Sequence, residues 1–400
     1  MAMHIAVGYD QSEDAYEAGV LACQGAIKGL AGKPANFLLV FASVAFDQEK
    51  MLSGVRSVEK DALLLGCSTA GEITKDGPLA TSSVAVMAIH SDDVNFFGGV
   101  GEDIAKDARE AGKKVAEAVL GQLPQGELPT SFIMLPDVLV GNGASIVTGV
   151  LDVLGKHFPV VGGAAGDDFQ FKKTYQYLNG TVYSGTVVGV GLTGPVKFGI
   201  GVRHGWTPIG LPMKVTRSEG SVLHMVNDKP AIDVYDVYFG DYAKELRTDT
   251  LAKLAITYPL GIRVAESDEY LIRDPISVDA AGSITCAAEI PEGSEIRLMM
   301  GGKQAAIAMA KMAAENALKQ LEGAPAQGAI IFNCIARKKL FGEMAGDEIA
   351  AIQEVIGRDT PLLGFYTYGE QAPLNGEVKN IEQCNAAFHN ETIVIYLLGA

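Results

Sequence analysis

The sequence is poor in the residues that build disulfide frameworks and metal sites. Its five cysteines are scattered through 400 residues and contain no C-x-x-C pair, which favours reduced thiols over a disulfide frame or a zinc knuckle. Its six histidines show no metal-ligand spacing, so no metal site is expected. The scattered cysteines predict a protein of a reducing, cytoplasmic compartment.

Basic residues are also outnumbered: 32 Lys and Arg stand against 48 Asp and Glu, and the net charge is -16. The longest basic run is Arg337-Lys338-Lys339. Nucleic acids and anionic lipids are bound by clustered cations, so neither partner is expected. The first ten residues lack the pattern of a signal peptide. Residues 174–196 are uncharged, but their alternation favours a strand pair over a membrane span.

Apolar residues, by contrast, make up 48% of the chain, as in packed globular proteins, and the length suits two or three domains. Their order repeats. Residues 7–19 align without gaps on residues 100–112 with eight identities in thirteen positions, and each segment opens a predicted helix followed by strand, helix and strand. A third helix-strand-helix-strand series begins near residue 303. Such internal repetition indicates related structural units.

Each series contains a glycine-rich turn after its second strand. The three turns are Gly66-Cys-Ser-Thr-Ala-Gly-Glu72, Gly162-Gly-Ala-Ala-Gly-Asp167 and Gly364-Phe-Tyr-Thr-Tyr-Gly-Glu370. Apolar strands alternating with helices predict an α/β fold with mainly parallel sheet. We expect two lobes, residues 1–225 and 226–400, built from three related units plus a central antiparallel strand-rich region, in which Asn179-Gly180 predicts a hairpin.

The order of several short motifs resembles the FIST family, named for F-box and intracellular signal transduction proteins. The motifs are Gly66-Cys-Ser-Thr-Ala-Gly-Glu72, Val161-Gly-Gly163, Asp228-Lys-Pro-Ala231, Pro259-Leu-Gly261, Pro291-Glu-Gly293, Gly364-Phe-Tyr-Thr-Tyr-Gly-Glu370 and Asn390-Glu-Thr392. The resemblance spans nearly the whole chain. It implies an N-terminal and a C-terminal FIST part, a sensory module for small ligands, and a signalling partner such as a histidine kinase. The resemblance also implies haem as an alternative cofactor, because some stand-alone members are haem-based nitric oxide sensors.

The candidate ligand site lies between the two predicted lobes. Its predicted lining comprises Arg203, His204, Trp206, Arg273, Tyr366, Thr367, Tyr368 and Glu370. His204 adjoins the only tryptophan and is the candidate axial ligand for haem; the alternative is a loop histidine beside a packed Trp206. Arg273 could clamp a carboxylate or pair with a neighbouring acid such as Asp274, Glu266 or Asp268.

The repeated acids Glu72, Asp167 and Glu370 permit two interpretations. They could face a ligand at the strand ends, or they could accept hydrogen bonds from turn N–H groups. The second is favoured because all three units share the pattern. Tyr366, Thr367 and Tyr368 differ from their counterparts, so the third copy is preferred for ligand contact.

The function that the resemblance implies is sensory, not enzymatic. The ligand is an amino-acid-like or carboxylate metabolite, and its binding closes the lobes to alter a surface used by a separate partner. One alternative is haem-based nitric oxide sensing. Another is an enzyme using Cys67 or the repeated carboxylates, although no complete G-x-S-x-G turn accompanies Cys67, which favours a packed thiol.

Overall fold

The structure is a computed structural model that describes residues 3–79, 82–240, 251–264, 270–374 and 386–399. The first α/β unit contains two helices, α1 (Ala15–Gly29) and α2 (Gln48–Val58). Its strands are β1 (Met3–Asp10), β2 (Phe37–Ser43), β3 (Leu63–Thr69), β4 (Glu72–Thr74), β5 (Gly77–Pro78) and β6 (Val84–Ser91).

The second unit repeats this order with α3 (Ala108–Leu120) and α4 (Gly143–Leu154). Its strands are β7 (Asn95–Gly101), β8 (Ser131–Pro136), β9 (Val160–Gly163), β10 (Gln176–Leu178), β11 (Thr181–Tyr183) and β12 (Val187–Thr193). All four helices of these two units begin at a side-chain cap that accepts a hydrogen bond from the third helical N–H, and the caps are Asp14, Asp47, Asp107 and Asn142.

The strand-rich region follows β13 (Lys197–Arg203) and forms an antiparallel sheet of its own. Its strands are β14 (Trp206–Glu219), β15 (Val222–Val226), β16 (Lys229–Pro230), β17 (Leu260–Arg263), β18 (Tyr270–Arg273), β19 (Pro275–Val278), β20 (Ile284–Cys286) and β21 (Glu295–Gly301). Two short helices accompany them, α5 (Asp233–Phe239) and α6 (Leu251–Ala255). The lobe boundary predicted near residue 225 falls within β15 and stays a prediction.

The third unit resumes after this region. Its helices are α7 (Lys303–Gln320), α8 (Ile335–Phe341) and α9 (Ala345–Ile356), with a 3-10 turn at Gly342–Met344 between the last two. Its strands are β13, β22 (Ala326–Cys334), β23 (Leu362–Thr367), β24 (Glu370–Pro373), β25 (Ala386–His389) and β26 (Ile393–Gly399). No helix in the described part of the chain is both long and apolar enough to cross a membrane.

The sheets of the three units are mixed, so the expectation of a mainly parallel sheet is wrong. Only the strands joined directly by α2, α4 and the α8–α9 segment pair in parallel among the described residues, namely β2 with β3, β8 with β9 and β22 with β23. The closing strands β6, β12 and β26 run antiparallel between the edge strand and the first inner strand. The alternation of helices and strands predicts the parallel pairing of the two strands that flank a helix, such as β2 and β3. It does not predict that the closing strand β6 lies between β1 and β2 in the sheet.

Each six-stranded sheet is completed by strands from another unit. Strands β10 and β11 of the second unit extend the first sheet at β3, and their Asn179-Gly180 turn is the hairpin that the sequence predicts. Strands β24 and β25 extend the second sheet at β9. Strands β4 and β5 of the first unit extend the third sheet at β23. The exchange is cyclic, so the ends of β3, β9 and β23 are brought together.

The first glycine of each repeated turn is needed for close approach between parallel strands. Gly66, Gly162 and Gly364 lie opposite Val40, Met134 and Ile331 of their neighbouring strands. A Cβ at these glycines would lie 2.1, 1.9 and 2.4 Å from the carbonyl oxygen of that same neighbour. No side chain fits there, which explains why the glycine recurs.

Candidate functional site

The repeated turns form the central junction of the three sheets, not an open crevice. Ala70 N donates to Tyr366 O (3.1 Å) and Tyr366 N to Gly71 O (2.9 Å), which joins the first turn to the third. Ala164 N donates to Gly369 O (2.8 Å), which joins the second turn to the third. The turns are therefore held by one another's backbones.

The carboxyls of Glu72 and Glu370 tie each turn to its closing strand. Both residues are fully buried. Glu72 accepts hydrogen bonds from the hydroxyls of Thr69 (2.5 Å) and of Ser83, which precedes β6. Glu370 accepts from the hydroxyl (2.6 Å) and N–H (3.1 Å) of Thr392, which precedes β26. Burial raises the pKa of Glu72 to about 7 and that of Glu370 to about 8.

The corresponding group in the second unit is Gln176, not Asp167. In the sheets, Glu72 is paired with Phe365 of β23, Glu370 with Gly163 of β9 and Gln176 with Cys67 of β3. Each partner directly follows the first glycine of its turn, so the three positions are equivalent. Gln176 Oε1 accepts from the hydroxyl of Thr186 (3.2 Å), which precedes β12. The prediction that Asp167 is the third copy of the acid is therefore wrong, because the second turn is eight residues longer than the other two and this insertion displaces the equivalent position.

The segment that contains this insertion, residues 167–175 and called the inserted segment below, has an unusual backbone. Asp168, Phe169 and Phe171 have φ values of 54, 62 and 50°, a left-handed region that bulky side chains rarely occupy. Asp167 holds the segment by accepting from the N–H groups of Phe171 (2.9 Å), Lys172 (2.7 Å) and Lys173 (3.0 Å). It also accepts from the Tyr368 hydroxyl.

This segment presents two aromatic rings to a cavity. The Phe171 ring stacks on Tyr368 at 4.9 Å between centroids, and Lys339 Nζ lies 4.4 Å from the centroid of Phe169. The cavity has a volume of about 420 Å³. Its lining comes from the inserted segment and the third unit on one side, and from the strand-rich region on the other: Phe169, Phe171, Cys334, Ile335, Ala336, Lys339, Tyr368 and Asn390, then Ala252, Lys253, Ile256, Asp274, Pro275, Ile276 and Ala287.

Two polar residues that line the cavity, Asp274 and Asn390, have acceptor atoms without partners among the described residues. Oδ1 of Asp274 and Oδ1 of Asn390 are both buried and make no hydrogen bond there. Burial raises the pKa of Asp274 to about 7. Beside Asn390, fully buried Glu391 has no described partner for either carboxyl oxygen, and burial together with Asp274 raises its pKa well above the ordinary value.

Of the predicted site residues in the third turn, the structure places only Tyr368 at this cavity. Thr367 is buried and its hydroxyl contacts Gly369 O (2.8 Å) and Glu370 Oε1 (3.1 Å) within the turn. Tyr366 is also fully buried, with Lys338 Nζ 5.0 Å from its ring centroid. Thr367 and Glu370 were predicted to contact a ligand, but their hydrogen bonds are made within the turn and to Thr392, and neither residue lines the cavity.

Arg273 lies next to Asp274 in sequence, yet its guanidinium is directed at backbone. It donates to the carbonyls of Glu289 (2.7 Å), Ile272 (2.9 Å) and Phe388 (3.3 Å). The residue is 4% exposed, and burial lowers its pKa to about 10. Of its other expected partners, Glu266 and Asp268 lie outside the described residues. Arg273 thus joins the strand-rich region to the third unit.

Arg203 ends β13, and His204 and Trp206 follow it at the start of the strand-rich region. None of the three lines the cavity, although Trp206 contacts Ile256, which does. Arg203 Nη1 donates to Val202 O (2.7 Å), and Trp206 Nε1 donates to Ile256 O (3.2 Å). The pKa of His204 is lowered to about 4 by burial and by nearby Arg337, His389 and Arg203. The imidazole is therefore neutral at physiological pH.

This geometry fits a haem ligand poorly. His204 Nδ1 accepts the N–H of Trp206 (3.0 Å), which leaves the ring proton on Nε2. A histidine that ligates iron through Nε2 needs a lone pair on that nitrogen and a proton on Nδ1. Haem binding stays a prediction.

Arg337 was missed as a functional or structural residue by sequence analysis. It is fully buried and pairs with fully buried Glu348 (2.5 Å). It also donates to the carbonyls of His204 and Ala306, the latter at 3.0 Å, and its guanidinium carbon lies 5.7 Å from the ring centroid of Trp206. The surrounding apolar residues 329–336 were the available signal, since an arginine there must be paired.

The proposed nucleophile Cys67 is fully buried, and burial raises its pKa well above the ordinary value. A buried thiol of this kind is unreactive. The described residues contain no group of three metal-ligating side chains either. The alternative enzyme that uses Cys67 therefore gains no support from this geometry.

The fold and cavity define an α/β protein of three strand-exchanged sheets with a mainly apolar cavity beside a separate strand-rich region. The sequence matches the FIST N domain over residues 36–229 and the FIST C domain over residues 231–373. The chain belongs to the FIST family, as its motifs indicated.

Individual relatives share low identity with the chain. An uncharacterized protein of Mycobacterium tuberculosis is 24% identical over 383 residues, which cover 94% of this chain and 96% of the relative. An uncharacterized protein of Methanocaldococcus jannaschii is 26% identical over 217 residues, 52% of this chain and 41% of that protein. The chain thus spans under half the length of this second relative.

Similarity to solved structures is weak. A cyanuric acid hydrolase from A. caulinodans superposes with a TM-score of 0.37 and 8% identity, covering 99% of each chain. PurL of T. maritima complexed with ADP gives a TM-score of 0.25 and 11% identity, covering 99% of this chain and 71% of that one. Neither value supports an argument about fold or activity.

Proposed function

We propose that this protein is a non-catalytic sensor that binds an amino-acid-like or carboxylate metabolite in the cavity and signals to a separate protein such as a histidine kinase. The observation that carries the proposal is the cavity itself, which combines an apolar wall with a few polar groups, as small-molecule sites do. Membership of a family associated with signal transduction supports the sensory role.

Helix α8 connects the cavity to the start of the strand-rich region. Ile335, Ala336 and Lys339 line the cavity, while Arg337 of the same short helix bonds the carbonyl of His204. A ligand that favours one position of α8 would therefore also favour one position of β14, which starts at Trp206. Differential affinity for the two arrangements would shift their populations.

The binding prediction is tested by a thermal-shift screen of amino acids and organic acids. A binder present at a hundredfold excess over its Kd stabilises the folded state by about 2.7 kcal/mol. We expect at least one compound to raise the Tm. We expect Ala252→Phe, which fills the cavity from its exposed rim, to weaken that compound's binding at least tenfold.

The matched control is Ala305→Phe. Ala305 is likewise an exposed helical alanine, but it lies on α7 and does not line the cavity. Binding equal to that of the unmodified protein is expected in this variant. Equal affinity in both phenylalanine variants, or no stabilisation by any compound, would contradict the cavity as the sensory site. A Soret band that disappears in His204→Ala would instead establish the haem alternative.

A further inference from the structure

Two of the polar residues that line the cavity have hydrogen-bond acceptors that lack donors. Buried polar atoms are almost always partnered in native structures, yet Oδ1 of Asp274 and Oδ1 of Asn390 have no partner among the described residues. Asn390 is 2% exposed and lines the cavity together with Asp274. Two unpartnered acceptors on residues that line one cavity point to a ligand that brings donors.

Three of the cations near the cavity are committed elsewhere. Arg273 donates to three backbone carbonyls, Arg337 is paired with Glu348, and Lys339 lies over the ring of Phe169. The fourth, Lys253, lines the cavity with an exposed side chain. Burial raises the pKa of Asp274, as expected of a carboxyl group with a buried oxygen that has no partner in the described part of the chain. Glu391, immediately after Asn390, is a second buried acid, and its carboxyl oxygens have no hydrogen-bond partner among the described residues.

We propose that the natural ligand is a protonated primary amine carrying an apolar group, with its ammonium donating to Asp274 and Asn390. This inference rests on the proposed sensory function and specifies the ligand's chemistry. An ammonium has three donors and no acceptor, which complements the acceptor atoms present. A carboxylate without an amine would place a like charge beside Asp274 and leave both acceptors unpaired.

The remaining walls suit the apolar part of such a ligand. Phe169, Phe171 and Tyr368 provide aromatic surface, and Ile335 faces them from α8. Phe169 and Phe171 are held there in left-handed backbone conformations. Backbone strain of this kind persists where the surroundings over-determine it, commonly at ligand sites.

The inference is tested with three probes that share a phenethyl group and differ in the head group: phenethylamine, phenethyl alcohol and phenylpropionate. Isothermal titration calorimetry on the full-length protein compares a cationic, a neutral and an anionic head group. We expect phenethylamine to bind at least tenfold more tightly than either of the others. Hydrogen bonds between charged groups support a discrimination of about ten- to a hundredfold.

The Asp274→Asn variant keeps the shape of the side chain and removes its charge. We expect it to lower the affinity for phenethylamine by about ten- to a hundredfold and to leave the affinity for phenethyl alcohol within about twofold. Phenylpropionate binding as tightly as phenethylamine to the unmodified protein would overturn the inference without any variant. So would an amine preference that survives in Asp274→Asn, or a failure of phenethylamine to bind.

Ala252→Phe separates this inference from the proposed function. If phenylpropionate binds best and loses its affinity in Ala252→Phe, the cavity is a ligand site but the amine assignment fails. If phenethylamine binds equally well to Ala252→Phe and to the unmodified protein, its site lies elsewhere, and the assignment of the cavity fails as well.

Discussion

Replacing Arg337 by methionine is expected to lower the free energy of unfolding by about 3–5 kcal/mol. Methionine keeps much of the side-chain length but removes the charge. Glu348, which is fully buried, then loses its ion-pair partner, and the carbonyls of His204 and Ala306 lose their donor. An uncompensated buried charge is the main cost.

Urea denaturation followed by circular dichroism measures this effect. Arg109→Met is the control, because Arg109 forms its ion pair with Asp152 (2.7 Å) at the surface, where its side chain is 56% exposed; such pairs contribute about 0–1 kcal/mol. The double variant Arg337→Met with Glu348→Leu should recover much of the loss, since no charge remains buried. A loss below about 1 kcal/mol in Arg337→Met would show that the buried pair does not stabilise this junction.

The local elements of the fold could be predicted from the sequence, whereas the exchange of strands could not. Alternating apolar strands and helices gave the order of elements, and Asn179-Gly180 identified the β10–β11 hairpin. Nothing in that hairpin, however, indicates that β10 pairs with β3 of the first unit. Pairing between distant segments is decided by the packing of all three sheets, which short-range patterns do not contain.

The candidate site was predicted in part, because sequence similarity marks what the units share. The glycine positions recur since they build the turns, and the third copy differs from the others at Tyr366, Thr367 and Tyr368, which the sequence therefore favours for ligand contact. Of these, Tyr368 lines the cavity. The inserted segment 167–175 could not be recognised in the sequence. Asp167 follows a glycine, as Glu72 and Glu370 do, and it therefore looked like the last residue of a third copy.

The second unit departs from the repeat at the position of the acid. Gln176 occupies the position of Glu370 and is neutral: its Nε2 donates to the hydroxyl of Thr174 (3.2 Å) while its Oε1 accepts from Thr186. The Thr367 hydroxyl has one proton, and it lies nearer to Gly369 O (2.8 Å) than to Glu370 Oε1 (3.1 Å). A protonated Glu370 that donates to Thr367 would therefore reproduce the pattern of Gln176.

Glu370→Gln is accordingly expected to fold and to become more stable than the unmodified protein as the pH rises. The pKa of Glu370 is raised to about 8 in the folded state, against about 4.3 in an unfolded chain. Between these values the folded state holds the extra proton, so the stability of the unmodified protein falls with increasing pH, by about 1.4 kcal/mol per pH unit from this one group. Glutamine has no such dependence.

Chemical denaturation at pH 5 and at pH 8 measures the difference in the free energy of unfolding between Glu370→Gln and the unmodified protein. The titrations of all other groups cancel in this difference. We expect Glu370→Gln to gain about 3–4 kcal/mol relative to the unmodified protein over that interval. Glu117→Gln is the control, since Glu117 is exposed on α3 and its replacement should leave the pH profile unchanged. A constant difference between Glu370→Gln and the unmodified protein at both pH values would mean that Glu370 is ionised in the folded state, and that the similarity to Gln176 lies in shape and not in charge.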